Sequence, residues 1–70
     1  MERRRVISTL LSSVGYDAAA KHLEVELVNG SVFEYYGVPE DIHRALMNAD
    51  SRGSFYHGMI EHVYAFRKLR

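Results

Sequence analysis

The stretch His22-Leu23-Glu24-Val25-Glu26-Leu27-Val28-Asn29-Gly30-Ser31-Val32-Phe33-Glu34-Tyr35-Tyr36 decides the fold. Leu23, Val25 and Leu27 alternate with Glu24 and Glu26, the period-two pattern of a half-buried strand. Asn29-Gly30 tolerates positive φ at both positions and signals a hairpin, so Ser31 to Tyr36 reads as the returning strand.

The hairpin loop length determines which aromatics are buried. A two-residue loop would pair Val28 with Ser31 and place Glu34 on the face of Leu23, Val25 and Leu27. A three-residue loop ending in a Gly30 bulge places Phe33 and Tyr35 there and sends Glu24, Glu26, Glu34 and Tyr36 outward. Burying a carboxylate without a partner costs about several kcal/mol, so the bulged register is expected, with Phe33 and Tyr35 in the core and an acidic opposite face.

Upstream, Ser8 to Tyr16 carries Leu10, Val14 and Tyr16 among small polar residues and reads as another strand with one buried face. Asp17 to Lys21 is a turn. Downstream, Gly37-Val38-Pro39 breaks the sheet, and Pro39 suits the first turn of a helix whose Glu40 and Asp41 complement the dipole. Ile42, Ala45, Leu46 and Ala49 form its apolar stripe, with His43, Arg44 and Asn48 outward and an end near Asp50. Ser51 is placed to cap a second helix reaching about Tyr64, striped by Phe55, Met59, Val63 and Tyr56, Ile60, Tyr64. Gly58, unfavourable inside a helix, would permit a close helix crossing.

The expected architecture is α+β: a three-stranded antiparallel β-meander followed by two C-terminal helices on one sheet face. Ile42, Leu46, Phe55 and Met59 would lie over Leu23, Val25, Leu27, Phe33 and Tyr35. Residues 8–66 form one domain between a basic N-terminal tail (1–7) and a basic C-terminal tail (67–70).

Seventy residues suffice for one core, with stability at the low end of the natural range. Without cysteine there is no disulfide or thiolate metal site. Met1 to Ala20 superficially resembles a signal peptide, but Ser8, Thr9, Ser12 and Ser13 interrupt its apolar region and cleavage would remove a strand. No run is long enough to span a membrane, so the expectation is a soluble, cytoplasmic protein.

A net charge of zero hides an asymmetry. Arg3, Arg4, Arg5, Arg67, Lys68 and Arg70 occupy the two ends, while the body between Val6 and Phe66 is acidic. Basic ends close together in space would hold a polyanion, and apart they are solvated tails.

No catalytic or metal signature emerges. His57 and His62 are five apart, about 140° around a helix, which is the wrong spacing for shared ligation. Asp50, Ser51 and His57 contain nucleophilic ingredients, but a capping serine is the commoner reading. Ser51-Arg52-Gly53-Ser54 combines free N–H groups, two hydroxyls, a guanidinium and a glycine, a plausible phosphate site, with Tyr56 and Tyr36 available for base stacking. The plainer reading has Ser51 capping, Gly53 turning the chain and the aromatics in the core.

Gly15-Tyr16-Asp17, Leu23-Glu24-Val25, Asn29-Gly30, Phe33-Glu34-Tyr35-Tyr36-Gly37-Val38-Pro39 and Ala49-Asp50-Ser51-Arg52-Gly53-Ser54-Phe55-Tyr56, with Ile60 and Tyr64 beyond, resemble the KTSC domain. That family is named for the C-terminus of some lysyl-tRNA synthetases and also occurs as stand-alone bacterial or phage proteins. The resemblance spans about Ser8 to Phe66 and implies no assigned activity, while the synthetase association suggests RNA binding. This chain departs from the family in having Phe33 for the first tyrosine of Tyr-x-Tyr, His57 for asparagine, and Glu61 where a basic residue is common.

The leading expectation is a non-enzymatic RNA or single-stranded nucleic-acid module without a cofactor or metal. Its contacts would come from Ser51, Arg52, Gly53, Ser54, Tyr36, Tyr56, Arg3, Arg4, Arg5, Arg67, Lys68 and Arg70. A protein-interaction or homodimerisation module is the alternative, and a small-nucleotide binder at Ser51 to Ser54 is the third.

Overall fold

A computed structural model describes residues 1–70. The sheet has five strands rather than three: β1 (Arg4–Arg5), β2 (Leu11–Asp17), β3 (His22–Leu27), β4 (Val32–Tyr36) and β5 (Phe66–Lys68). Helices α1 (Glu40–Asn48) and α2 (Arg52–Met59) lie between β4 and β5 in sequence. All neighbouring strands are antiparallel in the order β1-β2-β3-β4-β5, so the two expected tails are instead the sheet's edges.

The hairpin takes the bulged register. Leu23 lies opposite Tyr35 and Val25 opposite Phe33, Leu27 N–H donates to Ser31, and Gly30 sits at φ +94°. Glu24 and Glu34 face each other on the other side of the sheet. β2 begins later than expected because Ser8 Oγ accepts from the Leu10 and Leu11 amides, and a bulge between Leu11 and Ser13 then brings Leu11, Val14 and Tyr16 to the core face. Asp17 organises the next turn by accepting from Ala19 and Ala20 N–H.

The core joins Leu11, Val14, Leu23, Val25 and Tyr35 of the sheet to Val38, Leu46, Tyr56 and Ile60. Each fully buried aliphatic side chain among them contributes roughly 1.5–3 kcal/mol. α1 is rotated relative to the expected stripe, leaving Ala45 exposed and seating Met47 and His43 against the sheet. His43 stacks on Tyr16 with ring centroids 4.5 Å apart, covering far more apolar surface than an alanine methyl would.

α2 is shorter than expected. Ser51 caps it, but after Met59 the Ile60 and Glu61 amides both donate to Tyr56, and His62 at φ +69° turns the chain back towards β5. Tyr56 and Ile60 therefore reach the core, whereas Met59 and Val63 are exposed. Gly58 has open space around it and marks no helix crossing.

Candidate ligand-binding surfaces

The Ser51 to Ser54 corner is built as a packing joint. Ser51 Oγ accepts from Ser54 N–H and donates to Ser54 Oγ, so the capping hydroxyls satisfy each other and the helix start. Arg52 turns away from this start, donating to the Met47 carbonyl at 2.8 Å and the Ile7 carbonyl at 3.2 Å. A Cβ on Gly53 would stand 3.3 Å from Leu10 Cβ, so this glycine admits the incoming N-terminal segment. The expected phosphate cradle is corrected in its guanidinium: Arg52 donates to two carbonyls and so ties three segments together.

Tyr56 is also corrected as a stacking residue. Its ring is buried edge-on against Tyr35, and the two hydroxyls hydrogen-bond. Burial pushes the Tyr56 phenol well above its ordinary range. Tyr36 reaches the outer sheet face, where it is half-buried, packs edge-on with His22 and donates to Glu34 at 2.9 Å. That hydrogen bond to a carboxylate raises the Tyr36 pKa.

The terminal cations enter from opposite edges of the sheet, and Arg3 and Arg70 both reach the outer face, where each acts on Glu26. Several neutralise the acidic face that the hairpin register creates. Arg3 pairs with Glu24, Arg70 pairs with Glu26 at 2.8 Å and also donates to the Gly30 carbonyl, and Arg67 lies opposite Glu34. Ser13 donates to Glu26 as well, and this hydrogen bond is the leading cause holding the Glu26 carboxyl below its ordinary pKa. Arg4, Arg5, Arg67 and Lys68 remain exposed.

Two surfaces were not anticipated. At the β5 edge, Phe66 is 54% exposed and meets Phe33 edge-to-face at 5.7 Å, while Lys68 Nζ stands 5.9 Å from the Phe33 ring centre. The other is a cleft of about 440 Å³ between the N-terminal segment and α1, with Arg4 and Arg44 among its walls. Phe66 escaped notice because a three-residue strand carrying two cations has no readable alternation, while the cleft depends on a β1 pairing that residues 1–7 do not advertise.

Comparison with known proteins places these surfaces in a family context. The KTSC domain matches residues 7–64. A crystal structure of a KTSC domain protein from Yersinia pestis superimposes with a TM-score of 0.92 at 36% identity, covering 99% of this chain and 97% of that one. An uncharacterized protein of Stutzerimonas stutzeri is 39% identical over 56 residues, which are 80% of this chain and 79% of the relative. A lysine–tRNA ligase of Trichormus variabilis is 33% identical over 54 residues, covering 77% of this chain but only 10% of the ligase.

Proposed function

This chain belongs to the KTSC domain family, and we propose that it is a non-enzymatic module that binds single-stranded RNA along the β5 edge. The observation that carries this reading is the exposed Phe66 ring, held edge-to-face by Phe33, with Lys68 on the same face of the strand. An immobilised aromatic beside a cation offers one surface for a base and another for the phosphate joining it to its neighbour. Similarity to part of a lysine–tRNA ligase supports RNA as the partner.

Of the residues expected from sequence to contact RNA, Lys68 shares the face of Phe66, whereas Arg67 lies opposite Glu34 on the other face, beside Tyr36. Arg3 and Arg70 serve the sheet's own glutamates, and Ser51 to Ser54 serve the helix cap and the joint beneath it. The non-enzymatic reading is supported by the side chains themselves: Ser51 is engaged by Ser54, and His57 Nδ1 contacts Glu61 at 2.6 Å rather than a hydroxyl nucleophile.

Fluorescence anisotropy with a labelled single-stranded RNA tests the reading. Base–aromatic stacking contributes about 1–3 kcal/mol, so Phe66→Ala should weaken binding about tenfold. Unchanged affinity in the folded variant would reject this platform. The protein-partner reading draws on a separate observation, the exposure of Met59 (47%) and Val63 (58%) near the end of α2, and gains support if RNA fails to bind.

A further inference from the structure

The cleft beside α1 is electrically dipolar. Arg4 pairs with Val14 in an antiparallel ladder, so the chain preceding Arg4 runs towards Tyr16 and brings Glu2 to that end of the cleft. Glu40, at the start of α1, stands at the same end and helps, after burial, to raise the Tyr16 phenol pKa. Arg4 and Arg44 line the cleft as well, and both act on His43, as Glu40 does in the opposite sense. Glutamate and arginine thus recur on both walls, each pair with its acidic member towards Tyr16.

The two spacings agree. Glu40 and Arg44 are four residues apart on a helix, about 6 Å along its axis. Glu2 and Arg4 are two residues apart, about 7 Å where the chain is extended. The charges are available: Arg4 forms no ion pair with a carboxylate, and Arg44 meets Glu40 only at 3.8 Å with both side chains 65% exposed. An exposed helical pair of that kind holds together by only about 0.3–0.5 kcal/mol, so a ligand can separate it readily.

We propose that this cleft binds a small linear zwitterion whose ammonium and carboxylate groups are about 6–7 Å apart. The ammonium sits between Glu2 and Glu40, the carboxylate reaches Arg4 and Arg44, and the connecting methylenes cover Val14 and Met47. A simple polyanion fits less well, because each phosphate brought to the arginines also meets two glutamates. This site is on the opposite edge of the sheet from β5 and stands or falls independently of RNA binding.

The test is an NMR titration of the isotopically labelled full chain with 6-aminohexanoate, whose amine and carboxylate match the spacing. Saturable shifts centred on Arg4, Tyr16, His43 and Arg44, with millimolar affinity, are expected. Hexanoate and pentylamine, each bearing one of the charges, should bind at least about tenfold more weakly, as should 6-aminohexanoate to Arg4→Gln or Glu40→Gln. These exposed substitutions leave the core intact, and the spectra themselves report folding. Absence of saturable shifts, equal binding of hexanoate, or unchanged affinity in both variants would overturn the assignment.

Discussion

The hydroxyls of Tyr35 and Tyr56 meet 2.5 Å apart between the sheet and α2, each the other's hydrogen-bond partner. Both side chains are buried, so removing one hydroxyl leaves the other without a partner in an apolar setting. Tyr56→Phe should cost about 1–3 kcal/mol, and the double variant with Tyr35→Phe should cost less than the two single costs added together. Urea unfolding of the wild type, both singles and the double checks this. RNA affinity should be unchanged in folded Tyr56→Phe, since that ring is not on the surface.

Arg52 behaves as a structural clamp. Its hydrogen bonds to Ile7 and Met47 carbonyls are charge-assisted and join the N-terminal segment to the end of α1. Arg52→Ala should lower unfolding stability by about 2 kcal/mol and release the segment before β2 to faster amide exchange. Its RNA affinity should match the wild type under conditions where both are folded. This departs from the expectation from sequence that Arg52 contacts phosphate.

The hairpin was legible because alternation and the cost of burying Glu34 pointed to one register. Ser51 was equally legible as a cap. The edge strands were not, because Arg4-Arg5 and Phe66-Arg67-Lys68 are short and charged, and only their pairing with β2 and β4 reveals them as strands. His43 was misread outward because helical periodicity treats histidine as polar, whereas Tyr16 presents a ring on which it stacks. The end of α2 depended on a left-handed His62, a conformation that no glycine or asparagine at that position announced. Consequently the core was largely readable, while the exposed β5 surface required the assembled sheet.

The half-buried stack of His43 on Tyr16 carries a pH dependence. Desolvation lowers its pKa below the ordinary 6.5, outweighing the opposite effect of Glu40. The unfolded chain therefore binds this proton more readily than the folded one. Its stabilising contribution is fully present above pH 6.5 and declines as pH falls through the folded pKa. Urea midpoints should fall on acidification through that window, and His43→Gln should flatten this part of the profile.

Salt should weaken RNA binding only moderately. Lys68 is the cation that shares the face of Phe66 on β5, and each phosphate neutralised on a single strand contributes a slope of about 0.7. Anisotropy over a salt series should therefore give a logarithmic slope of about −0.7, falling towards zero in Lys68→Gln. Arg3 and Arg70 should contribute little, because each already neutralises a glutamate of the outer sheet face.

The most direct measurement is chemical-shift mapping of the labelled chain during titration with a short single-stranded RNA. Saturable perturbations should centre on Phe33, Phe66 and Lys68, with the aromatic protons of Phe66 moving upfield as a base stacks on the ring. Perturbation confined to Ser51 through Ser54, or an unmoved β5 in the presence of saturating RNA, would contradict the proposed surface.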